Sequence, residues 1–137
     1  MQERLDLTAL TRATATLKVA LDEYDKDISN EFVRDSCIQR FEYCYDLSAK
    51  MVRRYLSMVA ANPGEIQEMT FQAQIREGHT QAILKNSWDQ WWQYRDYRNK
   101  ISHGYNLAVA LEIMESLPVF YQEVDYLLHA LTEKNEN

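Results

Sequence analysis

Apolar side chains return every third or fourth position along most of this chain, the spacing of a helix face and not the alternation of a strand. Leu10, Leu17, Leu21 and Tyr24 mark a first amphipathic helix over about residues 5 to 25, which the acidic stretch "DEYDKDISNE" (22 to 31) interrupts. Ser29 or Asn30 then caps a second and longer helix, where Ile38, Phe41, Tyr45, Ser48, Val52, Tyr55 and Val59 hold one face. "ANPGE" (61 to 65) reads as a turn from its Pro-Gly pair, and a short helix follows from about Gln67 to Glu77, closed by Gly78. Ser87 and Gln90 read as a capping box opening a fourth helix, "WDQWWQYRDYRNKIS", which Gly104 closes from the left-handed region. Asn106 caps the last segment. Its stripe of Val109, Ile113, Met114, Leu117, Phe120, Val124, Leu127 and Leu131 passes through Pro118, whose missing N–H predicts a kink or a short break. The final "EKNEN" is expected to fray.

These elements predict an all-α fold: an antiparallel helical bundle of about five helices, the last kinked near Pro118, forming a single domain over residues 1–137. Composition supports this without altering it. Only 3 Gly and 2 Pro are present, too few for a many-turned sheet protein, and 46% apolar residues suffice for a core.

Charge narrows the functional classes. A formal net charge of −6 gives no basic surface overall, so any contact with nucleic acid is local. Arg40, Lys50, Arg53 and Arg54 form one basic group and Arg95, Arg98 and Lys100 another, each readable as a small cationic site or as a solvated helix face. Cys37 and Cys44 lie on one helix about 10.5 Å apart along its axis, beyond the ~7 Å Cα limit for a disulfide. With no apolar leader and no run of membrane-spanning length, the expected setting is soluble, cytoplasmic and away from the membrane. His79 and His129 lack partners at ligand spacing, so no metal and no cofactor is expected.

The richest chemistry lies in "RDYRNKISHGYN", residues 95 to 106. On a helical wheel Trp88, Trp91, Trp92, Tyr94 and Ile101 share a broad arc, opposite Asp89, Gln93, Asp96 and Lys100, and Arg98 falls inside the apolar arc. A cation there needs an anion or a carboxylate partner, such as Glu42 or Asp46 on helix two. His103 is about 140° around the helix from Arg98, so the two converge only if the last turn unwinds at Gly104 or a second subunit completes the site. Alone, His103 is equally a dipole contact at a helix C-terminus. The three tryptophans read as core or dimer interface in preference to a base-stacking platform.

With Asn99 after the arginine and Tyr105 two residues past the histidine, "RNKISHGY" matches Arg-x4-His-x-Tyr. The chain here resembles the HEPN superfamily and, within it, the HepT-like toxins. Helix two, "RDSCIQRFEYCYDLSAKMVRRYL" (34 to 56), is similar to the corresponding helix of nucleotidyltransferase substrate-binding proteins. The resemblance covers nearly the full chain. It implies a homodimer and a metal-independent endoribonuclease toxin, in which the RNA's own 2′-hydroxyl attacks the adjacent phosphate. His103 would then move protons, Arg98 hold the phosphate and Asn99 orient either. It also implies a partner, a minimal nucleotidyltransferase acting as antitoxin by adding adenylate to Tyr105. Arg40 and Glu42 are candidate supporting residues, bracing the motif or the dimer. The alternative reading is a non-catalytic substrate-binding subunit of the same nucleotidyltransferase.

Overall fold

The computed structural model describes residues 4–136, six helices and no strand. They are α1 (Thr8–Lys26), α2 (Glu31–Val59), α3 (Pro63–Glu68), α4 (Phe71–Thr80), α5 (Trp88–Ser102) and α6 (Leu107–Glu136). The all-α bundle anticipated from periodicity is the observed fold, with one helix more.

Three long helices, α1, α2 and α6, form the frame. The α1 and α2 helices turn back on each other through residues 27 to 30, where the Asn30 side chain accepts the N–H groups of Phe32 and Val33 and so caps α2. The far end of α6 returns to the start of α1. There the Asn135 side chain both accepts the Leu5 N–H and donates to the Leu5 carbonyl, each at 3.0 Å. The expected fraying is thus contradicted for residues 133 to 136; Asn137 lies outside the described residues. Two backbone groups that would otherwise seek water are satisfied by one amide, which ties the ends of the bundle together.

α5 lies across the frame on aromatic contacts. Phe41 of α2 meets Phe120 of α6 edge-on at 4.7 Å, and Tyr94 meets Phe120 at 5.0 Å. Trp91 adds an edge contact with Tyr94 at 5.3 Å and a tilted one with Tyr45 at 6.1 Å. Each such pair contributes about 0.5–1.5 kcal/mol beyond burial itself, so this cluster fixes where α5 sits on α2 and α6.

Several local expectations change. Pro63 and Gly64 open α3 instead of forming only a turn: Asn62 caps the Gly64 N–H and Pro63 takes a first-turn position, where its missing donor costs nothing. The helix expected over 67 to 77 is therefore two helices, broken at Met69 and restarted by the Thr70 cap. Gly78 does not close α4. It is buried inside that helix, where an added Cβ would stand 3.0 Å from Leu84 Cδ1, so its role is close packing. Ser87 stands at the start of α5 but makes no side-chain capping bond. Nor does Pro118 break α6, which is helical throughout. Pro118 is exposed while Leu117 and Phe120 beside it are buried, and this packing carries the helix through the missing bond.

Candidate functional site

The motif sits where α5 ends against α2. Glu42 and Asp46, one turn apart on α2, present two carboxylates on one face, and Arg98 reaches across to both. Its Nε and Nη2 donate to the two oxygens of Asp46 at 3.0 Å each, a bidentate fork. Its Nη1 lies 2.8 Å from Glu42 Oε2 and also donates to the Ser102 hydroxyl one turn along α5. All three guanidinium nitrogens are engaged. The hydrogen bond to Asp46 leads in raising the arginine's pKa against the cost of partial burial, so Arg98 is permanently cationic. Of the options open on the wheel, the carboxylate pairing is the one realised, and with both named acids.

Arg98 is nonetheless within reach of solvent, its side chain 23% exposed. Two carboxylates around one guanidinium leave the cluster net negative, so an incoming phosphate must displace one of them to gain the fork.

His103 caps the C-terminus of α5, its backbone N–H on the Asn99 carbonyl at 3.2 Å. The imidazole is exposed and makes no hydrogen bond among the described residues, to Arg98 or otherwise. Asn99, likewise exposed, contributes only that carbonyl. A single chain therefore brings together Arg98, Glu42, Asp46 and Ser102, but not Arg98 with His103. Gly104 follows with φ +87°, the left-handed conformation expected of it, and Asn106 caps α6 through the Val109 N–H at 2.9 Å.

The turn at Gly104 brings Tyr105 within electrostatic reach of the first half of α2. Burial first, and then the charges of Asp35 and Glu42 opposed by that of Arg34, push its phenol above the ordinary value. The residue is still 38% exposed and its hydroxyl makes no hydrogen bond among the described residues. Asp46 joins the site as the partner expected for Arg98, whereas Arg34, Asp35 and Ser102 join it without a sequence expectation; for Ser102 the signal is its position four residues after Arg98.

Arg40, its Nε on the Ser36 hydroxyl at 3.2 Å, lines a surface pocket with Glu42 and Asp46 but makes no hydrogen bond or ion pair to the motif among the described residues, so of the two supporting candidates only Glu42 is bonded to it. The tryptophans divide: Trp91 is fully buried, Trp88 partly so, and Trp92 is 55% exposed. Tyr97 and not Trp92 completes the buried face of α5. Cys37 and Cys44 are buried, free thiols. Among the described residues no cluster of His, Cys, Asp and Glu is arranged to hold a metal ion, and no helix is long and apolar enough to cross a membrane.

Comparison with known proteins follows the same lines. A curated relative from Haemophilus influenzae, described as probable ribonuclease HepT, is 29% identical over 144 aligned positions, covering 99% of this chain and 98% of that protein. A solved Haemophilus influenzae structure, described as the fold of a substrate binding domain of a nucleotidyltransferase, superposes with a TM-score of 0.85 at 27% identity. The match covers 93% of this chain and 99% of that one. The family model for nucleotidyltransferase substrate binding protein like sequences matches residues 5–133. The chain belongs to this nucleotidyltransferase substrate-binding family, in the HEPN and HepT-like group that its motif resembles.

Proposed function

We propose that this chain is the binding subunit of a minimal nucleotidyltransferase and that it presents Tyr105 to that enzyme. The observation that carries this reading is the contrast within the motif: Arg98 is closed by Glu42 and Asp46, whereas Tyr105 is exposed and its hydroxyl has no hydrogen-bond partner among the described residues. In the transfer, the Tyr105 oxygen attacks the α-phosphorus of ATP, the bond to the β-phosphate breaks, pyrophosphate leaves, and the phenolic proton passes to a base. Among the described residues no acceptor is hydrogen-bonded to the Tyr105 hydroxyl, so the transferase is assigned the base. Co-expression with a minimal nucleotidyltransferase, followed by intact-mass and peptide analysis, tests the proposal. One or more adenylates on wild type and none on Tyr105→Phe is the expected result; an unmodified wild type in a stable complex rules out the acceptor role.

A second reading is favoured by the relative described as a probable ribonuclease, which aligns with 99% of this chain. In it a homodimer supplies His103 of one subunit to Arg98 of the other. His103 then moves protons while Arg98 and Asn99 manage the phosphate of an RNA whose 2′-hydroxyl is the nucleophile. Adenylate on Tyr105, bulky and anionic, blocks that site. Growth arrest by the chain alone, relieved by the transferase and lost in Arg98→Ala and His103→Ala, supports this reading. RNA cleavage by those two variants at the wild-type rate excludes it.

A further inference from the structure

A groove of about 810 Å³ opens well away from Tyr105, between residues 4–6, the C-terminal half of α2 and the start of α3. Among the described residues four cations line it, Arg4, Lys50, Arg53 and Arg54, against one carboxylate, that of Asp6. A protein of net charge −6 thus concentrates a surplus of positive charge in one concavity. Among the described residues none of these four cations is ion-paired, so each is available to a ligand; what sets them apart from the other unpaired cations is that they share one concavity. Asp6 is occupied locally, taking the Thr8 N–H at 3.0 Å. The basic group expected from sequence is thereby redrawn: Arg40 leaves it and Arg4 joins it.

Lys50, Arg53 and Arg54 stand three and four residues apart on α2, where like charges repel. Among the described residues the one carboxylate lining the groove is Asp6, and Asp46, four residues before Lys50, is held by Arg98, so the repulsion is only partly relieved, a local conflict of the kind a ligand resolves. The ligand's chemistry follows from the lining. Arginine forks suit phosphate oxygens, and several cations side by side suit several phosphates in succession. Ser57 and Gln67 add neutral hydrogen-bonding groups, and Met58 and Pro63 an apolar floor, in a volume suited to a nucleotide-sized group.

We propose that this groove binds consecutive phosphates, carried either by the polyphosphate of a nucleotide or by a short stretch of RNA backbone. On the α2 wheel Arg53 and Lys50 share a face with Glu42 and Asp46, Arg53 lying about 10.5 Å beyond Asp46 along the axis. A strand seated in the groove can therefore continue along α2 to Arg98. The site itself depends on neither the transferase nor Tyr105.

The test measures binding of inorganic tripolyphosphate, ATP and a short single-stranded RNA to the full chain across a salt series. The proteins compared are wild type, R53Q/R54Q, Y105F, and K26Q/K134Q as a control of equal charge change. R53Q/R54Q is expected to weaken binding about tenfold or more and, for RNA, to lower the salt slope by about one for each phosphate no longer neutralised. Y105F and K26Q/K134Q are expected to bind as wild type does. Binding of tripolyphosphate and ATP identifies a nucleotide site; binding of RNA alone identifies a strand track. The proposal is overturned if none of the three binds, if R53Q/R54Q with an unchanged circular dichroism spectrum binds as wild type, or if K26Q/K134Q loses as much.

Discussion

Glu123 of α6 accepts the indole N–H of Trp91 of α5 at 2.9 Å, inside a core where the glutamate has no exposed surface. The same carboxylate takes the backbone N–H groups of Lys85, at 2.8 Å, and of Asn86, at 2.6 Å, just ahead of α5. The start of α5, which its own Ser87 does not cap, is thus anchored from another helix, and the motif at the far end of α5 depends on that anchor.

Glu123→Gln leaves three donors facing one carbonyl oxygen and an N–H2 group, so at least one donor is unsatisfied, at a cost of about 1–3 kcal/mol. Glu123→Ala orphans all three and costs more. Urea unfolding measures both, and equal stability of Glu123→Gln and wild type sinks the argument.

The pH dependence runs opposite to that of a surface carboxylate. Burial raises the folded pKa of Glu123 above 4.5, against the hydrogen bonds from Lys85, Asn86 and Trp91. The folded state then holds a proton that the unfolded state has lost, so this contribution is fully present below the unfolded value and declines as pH rises through the folded one. The stability gap between wild type and Glu123→Gln should narrow from mildly acid pH toward neutrality.

Arg98 is held by two acids that are only partly shielded, Glu42 at 32% and Asp46 at 54% side-chain exposure. A double-mutant cycle of Arg98→Ala with Glu42→Ala should give a coupling of about 0.5–1 kcal/mol, shrinking as salt is added. Arg98→Lys should recover only part of it, because an ammonium cannot fork onto both oxygens of Asp46. Full recovery by lysine means that charge alone, without geometry, holds the site.

Legibility in the sequence followed from how local the chemistry is. Asn30, Asn106 and Gly104 act through their own side chains or φ angles within a few residues, and each does what its position implies. Pro63 is also a local signal, a first-turn proline, masked by the adjacent glycine. Trp91 and Trp92 are neighbours of identical chemistry, yet one is buried and the other exposed, because the choice belongs to α2 and α6, against which α5 packs. The wheel named both partners of Arg98 from the need of a half-buried cation for an anion. It could not bring Tyr105 within electrostatic reach of Asp35 and Arg34, since that depends on how the Gly104 turn redirects the chain.

The two thiols make a separate prediction. Burial pushes Cys37 up to about 11 and Cys44 up to about 12, so both are neutral at neutral pH and shielded from reagent. Neither should react with a thiol reagent faster than the chain unfolds. The unfolded thiols ionise first, near 9, so stability should start to fall as pH rises above about 9, and less so in Cys37→Ala/Cys44→Ala. Rapid native-state labelling contradicts this.

Gly104 links the end of α5 to Tyr105, and its substitution separates backbone from side chain. A Cβ at Gly104 meets nothing within 4 Å, so Gly104→Ala costs only the left-handed backbone penalty, about 1–2 kcal/mol, and Gly104→Asn less. Tyr105→Phe removes a hydroxyl that makes no hydrogen bond among the described residues, and should leave stability within about 0.5 kcal/mol of wild type. If Tyr105 is the acceptor and the left-handed turn is what presents it, the transferase should label Gly104→Ala less than wild type at equal folded fraction, since alanine disfavours that conformation. Tyr105→Phe should not be labelled at all. Denaturant midpoints measured beside adenylate yield check both; full labelling of Gly104→Ala shows that the transferase recognises Tyr105 without the turn, and labelling of Tyr105→Phe moves the acceptor to another residue.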